Sequence, residues 1–179
     1  MNTLKRGLLI GLVALLASLG IHAQIRDFIV VVRPVYHEET VSFLNKLSDS
    51  MKADGYVMDA EALKSYASGG FGSGFLVQAA NGQIYVMTNR HVVAQASTVT
   101  IEQEKRDGSQ VVYRNCQVLA LDENLDLALV ALPPDQKTFA QGLEFSASPV
   151  DDGTEVWSAG YPGLGATPSW QLGKGNVTN

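Results

Sequence analysis

The sequence predicts a mainly β protein, an antiparallel barrel or sandwich, preceded by a short α-helical segment. From residue 69 onward, many short apolar stretches alternate with turns rich in Gly, Asn and Asp. No helical pattern separates successive strands there, which argues against a parallel βαβ sheet. Helical spacing of apolar residues is confined to the part of the chain before residue 69.

The first 23 residues have the pattern of a secretory signal peptide. Lys5-Arg6 is followed by an apolar run from Gly7 to Ile21, and Ala23 stands at the expected cleavage point. The run is shorter than the roughly 20 residues that a membrane-spanning helix needs. We therefore expect cleavage after Ala23 and export, to the periplasm or the medium. An uncleaved N-terminal membrane anchor is the alternative.

Charge and cysteine content narrow the partners and the compartment. Signal removal takes away two of the 13 basic side chains and none of the 18 acidic ones, which leaves a formal charge of −7. The mature chain has no basic patch to neutralise phosphates, so nucleic acid is not expected as a partner. Cys116 is the single cysteine, and an internal disulfide is therefore impossible. A disulfide-free exported domain of this size fits a bacterial envelope.

Residues 24–68 are expected to form an N-terminal helical segment. Its start contains one apolar run, Phe28 to Val32, that could be a short strand or a packing arm. A first helix is predicted because apolar residues recur every three or four positions, and this stripe predicts packing against the barrel; its residues are Val41, Leu44, Leu47 and Met51. Asp59 is a suitable N-cap for a second helix that ends at Gly69-Gly70.

Residues 69–134 are expected to form a complete first barrel and residues 135–179 the start of a second, incomplete one. Asn81-Gly82 between two apolar runs is a strong hairpin signal. Further strands are predicted at residues 97–103, 111–121, 126–132, 143–146, 155–159 and 169–177.

His91 and Asp126 are the candidate catalytic pair. His91 comes directly after a predicted strand, and Asp126 precedes the strongly apolar stretch Leu127–Val130. Imidazole titrates near neutrality, which suits a general base, and a carboxylate can fix its tautomer. An Asp at the start of a buried strand needs a partner, and His91 could be that partner. Taken singly, His91 could instead be a loop histidine and Asp126 a strand-start cap.

The motifs around this pair resemble the first barrel of trypsin-like serine endopeptidases, most closely the bacterial HtrA-type branch. The resemblance is specific because the histidine and aspartate motifs occur in the family's order. It lies in GSGFLV at residues 72–77, VMTNRHVV at 86–93 and DENLDLALV at 122–130, and it continues at 156–163 and 173–178.

This resemblance implies a chymotrypsin-like double β-barrel with a complete first barrel and a truncated second one. It implies that His91 is the general base and that Asp126, rather than Asp122, is its orienting carboxylate. The implied substrates are polypeptides, cleaved through an acyl-enzyme. No metal or organic cofactor would be required. His37-Glu38-Glu39 also contains metal-ligand residue types, but adjacent residues do not readily converge on one ion.

The chain departs from the family pattern at the nucleophile. These enzymes carry it in a Gly-x-Ser-Gly-Gly segment whose backbone N–H groups also form the oxyanion hole. No such segment occurs in the 179 residues. Ser73 lies in a Gly-Ser-Gly of the first barrel, where the family uses it structurally, and Cys116 is expected in the core. We therefore expect little or no activity from this chain alone.

Two hypotheses follow for the function. In the first, the chain is the N-terminal portion of an active serine endopeptidase. In the second, it is a non-catalytic, protease-derived binding or scaffold protein of the cell envelope. The chain ends at Asn179, which we interpret as the middle of a strand that begins at Ser169, and this favours the first because an incomplete barrel would have open sheet edges.

Overall fold

The computed structural model describes residues 25–105, 107–134, 141–162 and 167–178, so the predicted signal peptide lies outside the described part. Within these ranges, no helix is long and apolar enough to cross a membrane. The elements in chain order are β1 (Ile29–Val35), α1 (Glu38–Ala53), α2 (Val57–Ala67), β2 (Gly72–Gln78), β3 (Ile84–Asn89), α3 (Arg90–Val93), β4 (Thr98–Glu104), β5 (Gln110–Asp122), β6 (Leu127–Ala131), β7 (Glu155–Gly160) and β8 (Gln171–Asn176).

Six strands form a closed antiparallel barrel in the order β1-β2-β3-β6-β5-β4, and β7 pairs with β8 in a separate two-stranded sheet. The predicted mainly β fold is confirmed. The barrel closes through β1, where Val31 lies opposite Ser73 of β2 on one side and Glu102 of β4 on the other. Closure leaves this barrel without an open edge.

Strand β1 corrects the expected division of the chain, in which the barrel began at residue 69. The apolar run was ambiguous because it does not alternate, and the structure gives the reason. Val30 and Val32 point into the barrel core, whereas Ile29 and Val31 pack outside it against Tyr161. A strand that is covered on both faces has no polar side, so its sequence lacks the period of two.

Aliphatic side chains fill the barrel interior. Cys116 is fully buried among them, as predicted, and burial raises the pKa of its thiol to about 11. At neutral pH the thiol is therefore protonated and unreactive. The other core residues with no or almost no exposure are Val30, Val32, Leu76, Val86, Val93, Val99, Ile101, Tyr113 and Val130.

Helices α1 and α2 form a hairpin inserted between β1 and β2. The Ser48 hydroxyl donates a buried hydrogen bond of 2.6 Å to the carbonyl oxygen of Ala60 and joins the two helices. The predicted packing of α1 against the barrel is wrong, because α1 packs mainly against α2 and Leu47 is 41% exposed. Helix α2 begins at Val57, so Asp59 lies in its first turn instead of capping it.

The turns bear out most of the predicted strand pattern. Gly82 has a φ of +80° in the tight turn between β2 and β3, where the Asn81 side chain accepts the Gln83 N–H at 3.0 Å. The strand predicted at 143–146 is not formed. Among the described residues of that stretch, only Leu143 makes a bridge, with Val77 of β2.

Gly74 allows β1, β2 and β3 to approach closely. A Cβ at this position would lie 2.7 Å from Cγ2 of Val32 and 2.9 Å from Cγ1 of Val86, both fully buried. We expect Gly74→Ala to lower the free energy of unfolding by about 1–3 kcal/mol through overpacking, measured by urea denaturation. Gly175→Ala is the control, since a Cβ there meets nothing within 4 Å. Equal stability of the two variants would contradict the expectation.

Candidate active site

The pairing of β3 with β6 brings His91 and Asp126 together. Asn89, the last residue of β3, lies opposite Leu127, the first residue of β6. One step beyond this pair, the N–H of Arg90 donates to the carbonyl oxygen of Asp126 at 3.0 Å. Two residues 35 positions apart in sequence thus meet at one end of a rigid strand pair.

The His91 and Asp126 side chains form a two-point contact. Nδ1 of His91 lies 2.6 Å from Oδ2 of Asp126, and the backbone N–H of His91 donates to Oδ1 at 2.9 Å. A carboxylate can only accept, so Nδ1 carries the proton in this contact. In the neutral imidazole, Nε2 is then the nitrogen without a proton, which is the tautomer that a general base needs.

Asn89 also holds the Asp126 carboxylate, and the sequence analysis did not assign it a role. Its side-chain amide donates to Oδ2 of Asp126 at 3.3 Å and to the Asp126 carbonyl oxygen at 3.2 Å. Asn89 stands two residues before His91, within the histidine motif. That proximity is the signal that could have identified it.

These hydrogen bonds lower the pKa of the Asp126 carboxyl from its ordinary value. The backbone N–H of His91 contributes most, followed by the His91 side chain, and partial desolvation opposes both. The carboxylate is therefore ionised across the neutral pH range. The backbone of Asp126 has a φ of +51°, a conformation that Asp tolerates better than most residues with a side chain.

Asp122 has a different place from Asp126. Its Oδ1 accepts the N–H groups of Asn124 and Leu125 at 2.9 and 3.0 Å, and so it holds the turn between β5 and β6. Arg90 on α3 makes an ion pair with Glu123 across the same turn. The turn that presents Asp126 is thereby attached to the helix that presents His91.

Both side chains of the pair are accessible. The His91 side chain is 70% exposed and that of Asp126 is 43% exposed. Their hydrogen bonds consequently compete with water, and the contact contributes less to stability than a buried one would. Exposure also leaves the outer edge of the imidazole open to a reactant.

Ser73 and Ser146, two serines among the described residues, make hydrogen bonds to groups other than His91. The Ser73 hydroxyl accepts the N–H of Tyr161 at 2.7 Å and thus ties β2 to the residue after β7. The Ser146 hydroxyl donates to the carbonyl oxygen of Ser148. The part of the chain that the structure describes contains no cluster of three or more His, Cys, Asp or Glu residues that could hold a metal ion.

The lowered pKa of Asp126 has a consequence for stability at acid pH. A depressed folded-state pKa stabilises the fold above the ordinary Asp pKa of about 3.9, and this stabilisation is lost as the pH falls through the folded-state value. As the pH is lowered below the ordinary Asp pKa of about 3.9, we therefore expect the Tm of Asp126→Asn to fall less steeply than the Tm of the parent. Carbon NMR of the carboxyl checks the cause directly.

His91→Ala is the control variant for this titration. It removes the side-chain hydrogen bond but keeps the backbone N–H of residue 91, which contributes most to the shift. The pKa of Asp126 should therefore rise only part of the way to its ordinary value. An Asp126 that titrates at or above the ordinary value in the parent would contradict the geometry.

A family model and two solved structures are similar to this chain. The family model of the trypsin-like peptidase domain matches residues 72–179. The crystal structure of the Rv3671c protease from M. tuberculosis in its active form is 21% identical, with a TM-score of 0.56 over 87% of this chain and 50% of that one. Deg5 is 16% identical, with a TM-score of 0.57 over 90% of this chain and 62% of its own.

This chain corresponds to only part of each matched structure. The chain spans half the length of the Rv3671c protease structure and 62% of that of Deg5. At these identities the two likenesses show the fold alone. No curated protein sequence matches the chain.

Proposed function

The chain belongs to the trypsin-like peptidase family, and from this premise we propose that it is the His- and Asp-bearing part of a serine endopeptidase. The 2.6 Å contact between Nδ1 of His91 and Oδ2 of Asp126 is the observation that carries the proposal. Polypeptides would be the substrates. No cofactor is needed for this chemistry.

In the proposed reaction, Nε2 of His91 removes the proton from a serine hydroxyl as its oxygen attacks the scissile carbonyl carbon. Asp126 stabilises the imidazolium that forms and keeps its ring oriented. His91 then gives the proton to the leaving amine, and an acyl-enzyme remains. Water activated by the same imidazole releases the acyl group and regenerates the serine.

The nucleophile and the oxyanion hole would come from a segment outside these 179 residues. The extent of the matched structures supports this, since the chain spans half to three fifths of their length. The β7–β8 sheet supports it as well, because two strands alone are marginally stable in water. Val156 and Trp157 of β7 are 38% and 37% exposed. Further strands of a second barrel could cover these two side chains.

The intact mass of the natural protein, detected in its own cells with an antibody to residues 40–130, tests this proposal. A mass well above 19.2 kDa supports a longer chain that carries the serine. A mass at or just below 19.2 kDa contradicts it. The absence of a Gly-x-Ser-Gly-Gly segment would then favour the second function, a non-catalytic binding or scaffold protein.

We also propose that the protein is exported, on the basis of the signal-peptide pattern in residues 1–23. Cleavage after Ala23 would give a mature chain that begins at Gln24. N-terminal sequencing of the protein from the cell envelope tests this. A chain that still begins at Met1 would instead support an uncleaved anchor.

A further inference from the structure

An open pocket of about 370 Å³ lies beside His91, and the helical hairpin forms part of its wall. Its volume is within the range of about 300–1,000 Å³ that is usual for ligand pockets. Tyr36 and Tyr66 line it from the hairpin side, and Phe71 and Val92 line it from the barrel side. We call this space the aromatic pocket.

The hairpin is fixed where it contributes to the aromatic pocket. The rings of Tyr36 and Tyr66 lie 5.3 Å apart, and Tyr36 is only 9% exposed. Gly69, just after α2, has a φ of +78°, and a Cβ there would lie 2.9 Å from the carbonyl oxygen of Pro34. This close approach joins the end of α2 to the end of β1, so both tyrosines are held in place.

The chemistry of the aromatic pocket suits an uncharged, flat side chain. Among the described residues that line it, none is Asp, Glu, Lys or Arg. Burial raises the pKa of Tyr36, and a hydrogen bond to Tyr66 adds to this shift, so the phenol stays neutral. A charged side chain would find no Asp, Glu, Lys or Arg among these described lining residues to pair with, whereas an aromatic ring could pack against the tyrosines.

We propose that the aromatic pocket binds an aromatic side chain of the polypeptide substrate close to the scissile bond, and that Tyr36 and Tyr66 set this preference. The inference rests on the proposed function. His91 itself lines the pocket. A substrate side chain bound there would therefore belong to a residue close to the cleaved bond.

The variant Tyr66→Ala tests the proposal in the natural full-length protein. Tyr66 is 43% exposed, so its truncation should leave the fold intact. The substrates are peptides that carry either Phe or Lys at each of the two positions on either side of the scissile bond. We expect the Phe-over-Lys ratio of kcat/KM to fall by at least about tenfold, as apolar pockets discriminate on this scale.

Tyr56→Ala is the matched control. Tyr56 precedes α2 in the same hairpin and is 60% exposed, but it is not among the residues that line the aromatic pocket. Its ratio should equal that of the parent. An unchanged ratio in Tyr66→Ala, or an equal fall in both variants, would overturn the proposal.

A binding measurement separates this inference from the proposed function. Fluorine NMR of the N-acetyl amide of para-fluorophenylalanine reports binding to the natural protein whether or not it cleaves peptides. Signal broadening that is lost in Tyr66→Ala and kept in Tyr56→Ala supports the pocket, even if no proteolysis is found. If the probe is not broadened by a protein that cleaves peptides with no aromatic preference, the pocket inference fails and the peptidase proposal stands. If neither binding nor cleavage occurs, both fail.

Discussion

Replacing Asp126 with asparagine is expected to lower kcat of the proposed full-length peptidase by about 10⁴-fold, with little change in KM. Oδ1 of Asp126 accepts the backbone N–H of His91, so the asparagine carbonyl oxygen would take that position. The asparagine NH₂ would then face Nδ1 and donate to it. His91 would be held with its proton on Nε2, where it cannot accept the proton of a serine hydroxyl.

Asp122→Asn is the control for this experiment. Asp122 holds the preceding turn through the N–H groups of Asn124 and Leu125, so its substitution tests whether any loss of turn stability mimics the effect. We expect its kcat to remain close to that of the parent. An Asp126→Asn enzyme within about tenfold of the parent would mean that Asp126 does not set the tautomer of His91.

Leu76→Ala is expected to lower the free energy of unfolding by about 2–5 kcal/mol. The Leu76 side chain is fully buried in the barrel core, so its truncation removes apolar contacts and leaves a cavity. The backbone of Leu76 is bonded on both sides, to Phe28 at 2.8 Å and to Leu143 at 2.7 Å, which restricts collapse around the cavity. Urea denaturation followed by circular dichroism measures the change.

Leu119→Ala is the matched control, because Leu119 lies on strand β5 and is 54% exposed. Its truncation should change the free energy of unfolding by no more than about 0.5 kcal/mol. If Leu76→Ala lowered the free energy of unfolding as little as Leu119→Ala, Leu76 would not lie in a closely packed barrel core.

Local signals in the sequence predicted the parts of the fold that depend on neighbouring residues. Asn81-Gly82 predicted the β2–β3 hairpin because the turn needs a residue with positive φ and flanking apolar strands. The same holds for β4, whose buried Val99 and Ile101 alternate with more polar residues. In both cases the deciding interactions lie within a few residues.

Partners distant in sequence decided the features that the sequence left open or mispredicted. Strand β1 pairs with β4 about 70 residues later, and Val31 against Glu102 is one of these pairs. Nothing in the apolar run itself specifies that register. The exposed position of α1 was missed for a related reason, since an apolar stripe predicts that a helix packs but not against which surface. Here the surface is mainly α2.

The sequence predicted the two residues of the candidate pair but not the residues that surround them. His91 and Asp126 stand in specific motifs, and the β3–β6 register brings them within 2.6 Å. The support from Asn89 depends on the direction of its side chain, which the sequence does not specify. Tyr36 and Tyr66 reach the vicinity of His91 only because the hairpin folds back beside Pro34.

Labelling of the natural protein with a fluorophosphonate probe, read out by intact mass, tests whether His91 and Asp126 serve a catalytic serine. We expect a single probe to attach to a serine outside the 179 residues, in a protein heavier than 19.2 kDa. We also expect His91→Ala to abolish the labelling, because the serine then lacks its base. A natural protein that leaves the probe unreacted, or a His91→Ala variant that is labelled as fast as the parent, would contradict that role.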